Sequence, residues 1–260
     1  MLECVVNVSE GRHRLIIDAL ADAVGKDLLD IHSDPDHNRS VFTMVGEDAP
    51  RHLTEAALSL MSIVDHDGVH PRLGMIDVVP FVPLRQSTME DALRARNDFA
   101  NWAAKELQIP CFLYGPERSL PDIRKHAWTQ LLPDVGGSSP HDTAGAICVG
   151  AREPLVAYNV WLHDVDLQET KRIAALVRTE VIRTLGLQVG RYTQVSMNLI
   201  APNIAGPDVA VDAIKQHVDI DHTELVGLIP HDVLISIAQD RWEELDLAHD
   251  RTIEWRLDHR

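Results

Sequence analysis

The chain has 260 residues, 45% of them hydrophobic, enough for one large core or two modest ones, and a two-part architecture is the expectation. Its net charge of -16 excludes binding driven by clustered Lys and Arg, so no nucleic-acid partner is expected. No apolar run approaches the roughly 18 residues of a membrane span and MLECVVNVSEG lacks a signal-peptide pattern, so a cytoplasmic protein without membrane contact is expected.

LECVVNV (2–8) has strand length, and Leu15, Ile16, Ala19, Leu20, Ala23 and Val24 then recur at helical spacing until Gly25. DLLDI (27–31) and RSVFTMVG (39–46) read as strands joined by the polar loop HSDPDHN. Leu53, Ala56, Ala57, Leu60, Ile63 and Val64 make a second amphipathic helix, and MIDVVPFVP supplies a fourth strand. The order β-α-β-β-α-β is the ferredoxin-like pattern. Ser87 and Glu90 form a capping-box pattern that opens a third helix running to about Leu107. IPCFLYG (109–115) is another strand, and 115–139 reads as connection with one short helix.

The second part reads as strands AICVGA (146–151) and LVAYNVWL (155–162), then a helix from about Leu167 with Ile173, Leu176, Val177, Val181 and Leu185 on one face and Gly186 at its end. TQVSMNLI (193–200) alternates like a strand, Pro207 suits a helix start, and ELVGLIP (224–230) reads as a strand before a last helix. The second half partly echoes the first, and the expected division lies near Leu162 to Asp166, giving parts 1–162 and 163–260.

Cys4, Cys111 and Cys148 lie far apart in apolar segments and read as reduced core residues. Of the 14 histidines, His13, His52, His126, His163 and His259 read as surface residues. Three polar clusters interrupt the apolar strands. In NVSEG (7–11), Asn7 and Ser9 stand at a strand-to-helix turn that could hold an anion or be an ordinary cap at Ser9. HSDPDHNRS (32–40) carries metal-ligand residue types without metal-site spacing, in a composition that also favours a turn; it presents His32, His37, Asn38 and Arg39. In VHPR (69–72), His70 is held extended by Pro71, as suits a general acid-base near neutral pH, and Arg72 is available as a bidentate carboxylate anchor. An ordinary turn histidine is the other reading of that stretch.

ECVVNVSEG (3–11), LLDIHSDPDHNRSVFTMVG (28–46) and HPRLGMIDVVPFVP (70–83) together resemble the N-terminal half of glutamate formiminotransferase. PCFLYG (110–115), PDVGGSS (133–139), GAREPLVAYNVWL (150–162), QVSMNL (194–199) and ELVGLIP (224–230) resemble later segments of that family in the same order. The resemblance implies an α+β fold of two ferredoxin-like α/β subdomains, with mixed or antiparallel sheets, stacked around a substrate tunnel. It implies a homodimer and a transferase of histidine degradation and one-carbon metabolism, moving a formimino (or formyl) group from N-formimino-L-glutamate to N5 of tetrahydrofolate. Tetrahydrofolate is the co-substrate and no metal is expected.

In that family the histidine matching His70 is the acid-base. Both substrates are anions, which makes Arg39, Arg72, Arg152 and Arg191 candidate carboxylate anchors. Asn7, His37, Asn38, Ser138 and Ser139 complete the expected substrate set on the first part, and Asn159, Gln194, Ser196 and Asn198 on the second. The chain departs from the family at two positions: His32 and Val69 stand where the folate enzyme has aspartate and glutamate, so His32 and His70 could act as a histidine pair. The segments after Tyr114 and Gly186 are also shorter. Two other readings stay open: a hydrolase or deiminase of a small amide or amidine, with a metal on His32, His37 and His70, and a folate- or amino-acid-binding module without catalysis.

Overall fold

A computed structural model describes residues 1–64, 66–69 and 71–260. The chain divides into two compact units, 1–153 and 154–260.

In the first unit, β1 (Leu2–Val8) alternates, with Cys4, Val6 and Val8 buried in the core, and α1 (Arg14–Val24) follows. The hairpin β2 (Leu28–Asp34) and β3 (Arg39–Val45) leads into α2 (Ala49–Leu60), and β4 (Ile76–Pro83) returns beside β1. After α3 (Met89–Glu106), β5 (Cys111–Tyr114) and α4 (Leu120–His126), β6 (Ile147–Ala151) inserts between β4 and β5. The sheet order is β2-β3-β1-β4-β6-β5, antiparallel through the first four strands and parallel across β4, β6 and β5. Leu20, Leu53, Ala57 and Phe99 bring α1, α2 and α3 onto the face that carries Phe42, Met44 and Phe81. Each such large side chain contributes about 1.5–3 kcal/mol on burial. Ile123 of α4 packs with Val78, Phe112 and Cys148 in a separate small core.

The second unit runs β7 (Val156–Leu162), α5 (Leu167–Val177), β8 (Ile182–Val189), β9 (Tyr192–Leu199), α6 (Pro207–Lys215) and β10 (Ile220–Val226), then α7 (His231–Ser236) and α8 (Ile253–Asp258). Its antiparallel order, β10-β7-β9-β8, repeats the β4-β1-β3-β2 arrangement of the first unit. The fold is therefore α+β, with a ferredoxin-like pattern in each unit and two extra parallel strands in the first.

Four local expectations are corrected. The capping box is one residue later, Thr88 with Asp91, because Ser87 is taken up by the Met1 ammonium and by a turn onto Leu84. The helix expected from Leu167 through Leu185 stops at Val177, because the Thr179 hydroxyl accepts from the N–H groups of Val181 and Ile182 and turns the chain into β8. β6, read as opening the second part, pairs in parallel within the first sheet, and β7, placed before the division at 162, pairs with β9 and β10 in the second. The last strand runs from Ile220 to Val226 and leaves Leu228–Pro230 outside it.

Candidate functional site

At the end of β1, Ser9 is not a helix cap. Its N–H donates to Met75 O at 2.7 Å and its hydroxyl to Gly74 O at 2.8 Å, tying the turn to the segment before β4. Glu10 instead fixes the turn ahead of α1: Oε1 accepts from the N–H groups of Arg12 (2.7 Å) and His13 (2.9 Å), and among the described residues no side chain caps the helix itself. Burial alone would raise the Glu10 pKa, but the hydrogen bonds to His13 and Arg12 outweigh it and hold the carboxyl below its ordinary value. Gly11 lies so close to the next turn that a Cβ there would sit 2.2 Å from Asp34 O.

That next turn is HSDPDHNRS. Asp34 Oδ1 accepts from the N–H groups of Asp36 and His37, both at 2.8 Å, which is the aspartate-centred turn the composition favours. Asn38 takes the left-handed conformation at φ 47°, tolerable for asparagine. Its Oδ1 accepts from Gly11 N at 3.0 Å and its Nδ2 donates to Asp67 O at 2.8 Å. His37 is buried beside Asp34, while His32 stands half-exposed on β2 opposite Val41.

The third piece approaches from the β4 side. Asp77, 3% exposed, is paired bidentately with Arg124 of α4, with Arg124 Nη1 at 2.8 Å from Oδ1, and accepts from Leu73 N at 2.7 Å. Arg72 Nη2 donates to Gly68 O at 2.6 Å. Ser9, His37, Asn38, Arg39, Pro71, Arg72 and Asp77 line a narrow polar cleft. His70 lies outside the described residues; in the sequence it immediately precedes Pro71 of this lining.

Among the described residues, Arg39, Arg72 and Asp77 bring charge to the lining of the cleft. Burial lowers the Arg39 guanidinium to about 10, an effect that Asp77 partly opposes, and Arg39 Nε is buried without a hydrogen-bond partner. Arg72 is likewise lowered by burial. Burial opposes the charge of Arg124 too, but Asp77 outweighs it and raises that pKa. Asp77 thus pairs with Arg124 while Arg39 and Arg72 also face the cleft. In a chain of net charge -16, the two guanidinium groups and one carboxylate among the described lining residues suit a carboxylate or similar anion.

The other expected residues fall elsewhere. Asn7 stays on β1, and Ser138 and Ser139 are exposed after α4. Arg152 follows β6 and donates to Glu153 O at 3.0 Å. In the second unit Asn159 Nδ2 donates to Glu224 at 2.9 Å, from directly opposite it on β10. Gln194 is fully buried with neither amide atom bonded; Ser196 is half-buried, and Asn198 and Arg191 are exposed. Among the described residues no three His, Cys, Asp or Glu side chains are grouped to hold a metal, and the set His32, His37 and His70 falls partly on an undescribed residue. Sequence reasoning missed His66, Asp77 and Arg124. A lone aspartate inside the apolar run MIDVVPFVP was the available signal, since a buried carboxylate needs a partner. Nothing in the sequence pointed to Arg124, 47 residues away.

Residues 1–152 match the family model described as the formiminotransferase domain, N-terminal subdomain. The chain is 34% identical over 277 residues to a glutamate formimidoyltransferase of Streptococcus pyogenes serotype M1, covering 92% of each. A glutamate formimidoyltransferase of Thermoplasma acidophilum is 33% identical over 280 residues, covering 92% of this chain and 91% of its own. The formimidoyltransferase-cyclodeaminase of Sus scrofa is 32% identical over 280 residues, covering 92% of this chain and 52% of that longer protein. Among the described residues no helix is long and apolar enough to cross a membrane.

Proposed function

The chain belongs to the formiminotransferase family of one-carbon transferases, and from that premise we propose that it moves the formimino group of N-formimino-L-glutamate to N5 of tetrahydrofolate, with His70 as the general acid-base. The observation that carries the reading is the cation-rich cleft of Arg39, Arg72 and Asp77, lined by Pro71, the residue after His70.

Arg39 and Arg72 grip a carboxylate of the donor, for which Arg39 has a desolvated charge and an unused Nε–H. The N5 lone pair adds to the amidine-like carbon and gives a tetrahedral intermediate. His70 takes the proton released from N5 and returns it to the glutamate nitrogen, so that the C–N bond breaks and glutamate leaves as a neutral amine. His32, on β2, is the histidine that this reading pairs with His70 in place of the family's carboxylate. On the second unit, Asn159, Gln194, Ser196 and Asn198 serve the folate. The same reading makes the protein a cytoplasmic homodimer of histidine degradation, working without a metal.

The test is glutamate release by the purified protein given both substrates, together with calorimetric titration of each alone. Release is expected to require tetrahydrofolate, and His70→Ala is expected to abolish it without lowering the melting temperature. An active His70→Ala variant overturns the role of His70. Glutamate release without folate, accompanied by stoichiometric zinc or manganese, overturns the transferase in favour of a hydrolase.

A further inference from the structure

Arg72 is oriented by a histidine. Its Nη1 contacts His66 Nδ1, and the other ring nitrogen, Nε2, lies 2.9 Å from the carbonyl oxygen of Asn38. A guanidinium can only donate and a carbonyl can only accept, so both nitrogens are assigned: Nε2 carries the hydrogen and Nδ1 is bare. His66 thereby joins residues 66–69 to the β2–β3 turn at the residue, Asn38, whose side chain already bonds Gly11 and Asp67. Gly68 makes the same junction by backbone approach, since a Cβ there would sit 2.4 Å from His37 O.

We propose that His66 is the positioning residue of the anion cleft: as the neutral Nε2–H tautomer it accepts from Arg72 and holds that guanidinium beside Arg39 and Asp77. The proposal rests on the reading that Arg72 grips a substrate carboxylate. His66 touches no substrate in this scheme and acts through Arg72.

The arrangement has a pH consequence. A protonated imidazole would turn an N–H toward the guanidinium, so the contact is lost when His66 is charged. Among the described residues the charged groups acting on it are Arg72, which opposes protonation, and Glu10 from the β1–α1 turn, which favours it; the β2–β3 turn offers the neutral Asn38 carbonyl. Burial first, then Arg72, holds the His66 pKa below its ordinary value, so the link is intact at neutral pH and fails only as pH falls through that lowered pKa.

Two measurements decide it. In substrate-free protein with ¹⁵N-labelled histidine, the His66 resonance, identified by its loss in His66→Asn, is expected to show the Nε2–H tautomer at neutral pH, and Arg72→Met is expected to raise its pKa. In the transferase assay, His66→Ala is expected to raise the donor KM about tenfold, the loss expected of one charge-assisted hydrogen bond, with kcat changed less than about threefold. His66→Asn, whose carboxamide oxygen can stand where Nδ1 stood, should recover most of that loss and remove the rise in donor KM expected of the native enzyme at acid pH. An Nδ1–H tautomer, a His66 pKa indifferent to Arg72→Met, or a donor KM within about twofold of native in His66→Ala overturns the proposal. Absence of turnover in the native protein overturns the function proposed above instead, and the tautomer and the Arg72→Met titration then decide the His66–Arg72 link on their own.

Discussion

Arg39 lines the cleft and Arg124 backs it through Asp77, so two arginines stand near one site under opposite conditions. Arg124 is matched by Asp77, whereas Arg39 is desolvated with Nε unbonded. Removing one partner of a buried pair strands the other, at a cost of about 3–5 kcal/mol; removing an unmatched buried cation relieves a penalty. Arg124→Met is therefore expected to lose about 3 kcal/mol in chemical denaturation. Arg39→Met should unfold at the same or higher denaturant concentration while its donor KM rises about tenfold or more. A stability loss in Arg39→Met comparable to that of Arg124→Met would remove the case for an anion site. Arg39 and Arg72 were legible as candidates because each sits in a short polar stretch interrupting a strand pattern. Asp77, Arg124 and His66 were not, because their roles depend on partners supplied by other elements: Asp77 by an arginine 47 residues on, His66 by a carbonyl 28 residues back. Of the two readings open at Ser9, the helix cap failed for a related reason, since the same hydroxyl that can cap a helix here reaches Gly74, 65 residues on, while Ser9 does line the cleft.

Between elements, legibility followed the strength of the local signal. The β-α-β-β-α-β order of the first unit could be read because each strand alternates or is wholly apolar and each helix has an apolar face closed by a stop, as at Gly25. The second unit repeats that order, but β8 was hidden: Val181 and Leu185 continue the helical spacing of Ile173 and Val177, and only the hydroxyl of Thr179 betrays the turn. Gly186 was taken as a helix end, yet it does not have positive φ and lies in mid-strand where β8 crosses α5. A Cβ there would sit 2.8 Å from the backbone N and Cα of Lys171, atoms that cannot rotate away. Gly186→Ala is accordingly expected to push β8 off α5 and cost about 1–3 kcal/mol, read as a lowered denaturation midpoint. A midpoint equal to native would mean that the strand and helix do not approach so closely.

Each unit closes its own sheet and core. Leu20, Phe42, Phe81 and Phe99 belong to the first, and Tyr158, Val195, Val211 and Leu234 to the second. The boundary at Glu153 and Pro154 falls one residue past the end of the match to the N-terminal subdomain model, so inheritance and packing divide the chain at the same place. A unit of 153 residues buries roughly two thirds of the surface its unfolded chain exposes, which is ordinary for an independent domain. Ser9, Asn38, Arg39, His66, Arg72, Asp77 and Arg124 all lie within it, and the bonds described above that fix the cleft are internal to it. A fragment of residues 1–153 is therefore expected to fold alone, with a cooperative denaturation transition and dispersed amide resonances, and to keep His66 in the Nε2–H tautomer proposed for the whole chain. It should not catalyse transfer if Asn159, Gln194 and Ser196 hold the acceptor. A fragment that stays unfolded would show that the first sheet needs the second unit. A folded fragment with full activity would confine the whole reaction to the first unit and remove the second from the proposed folate site.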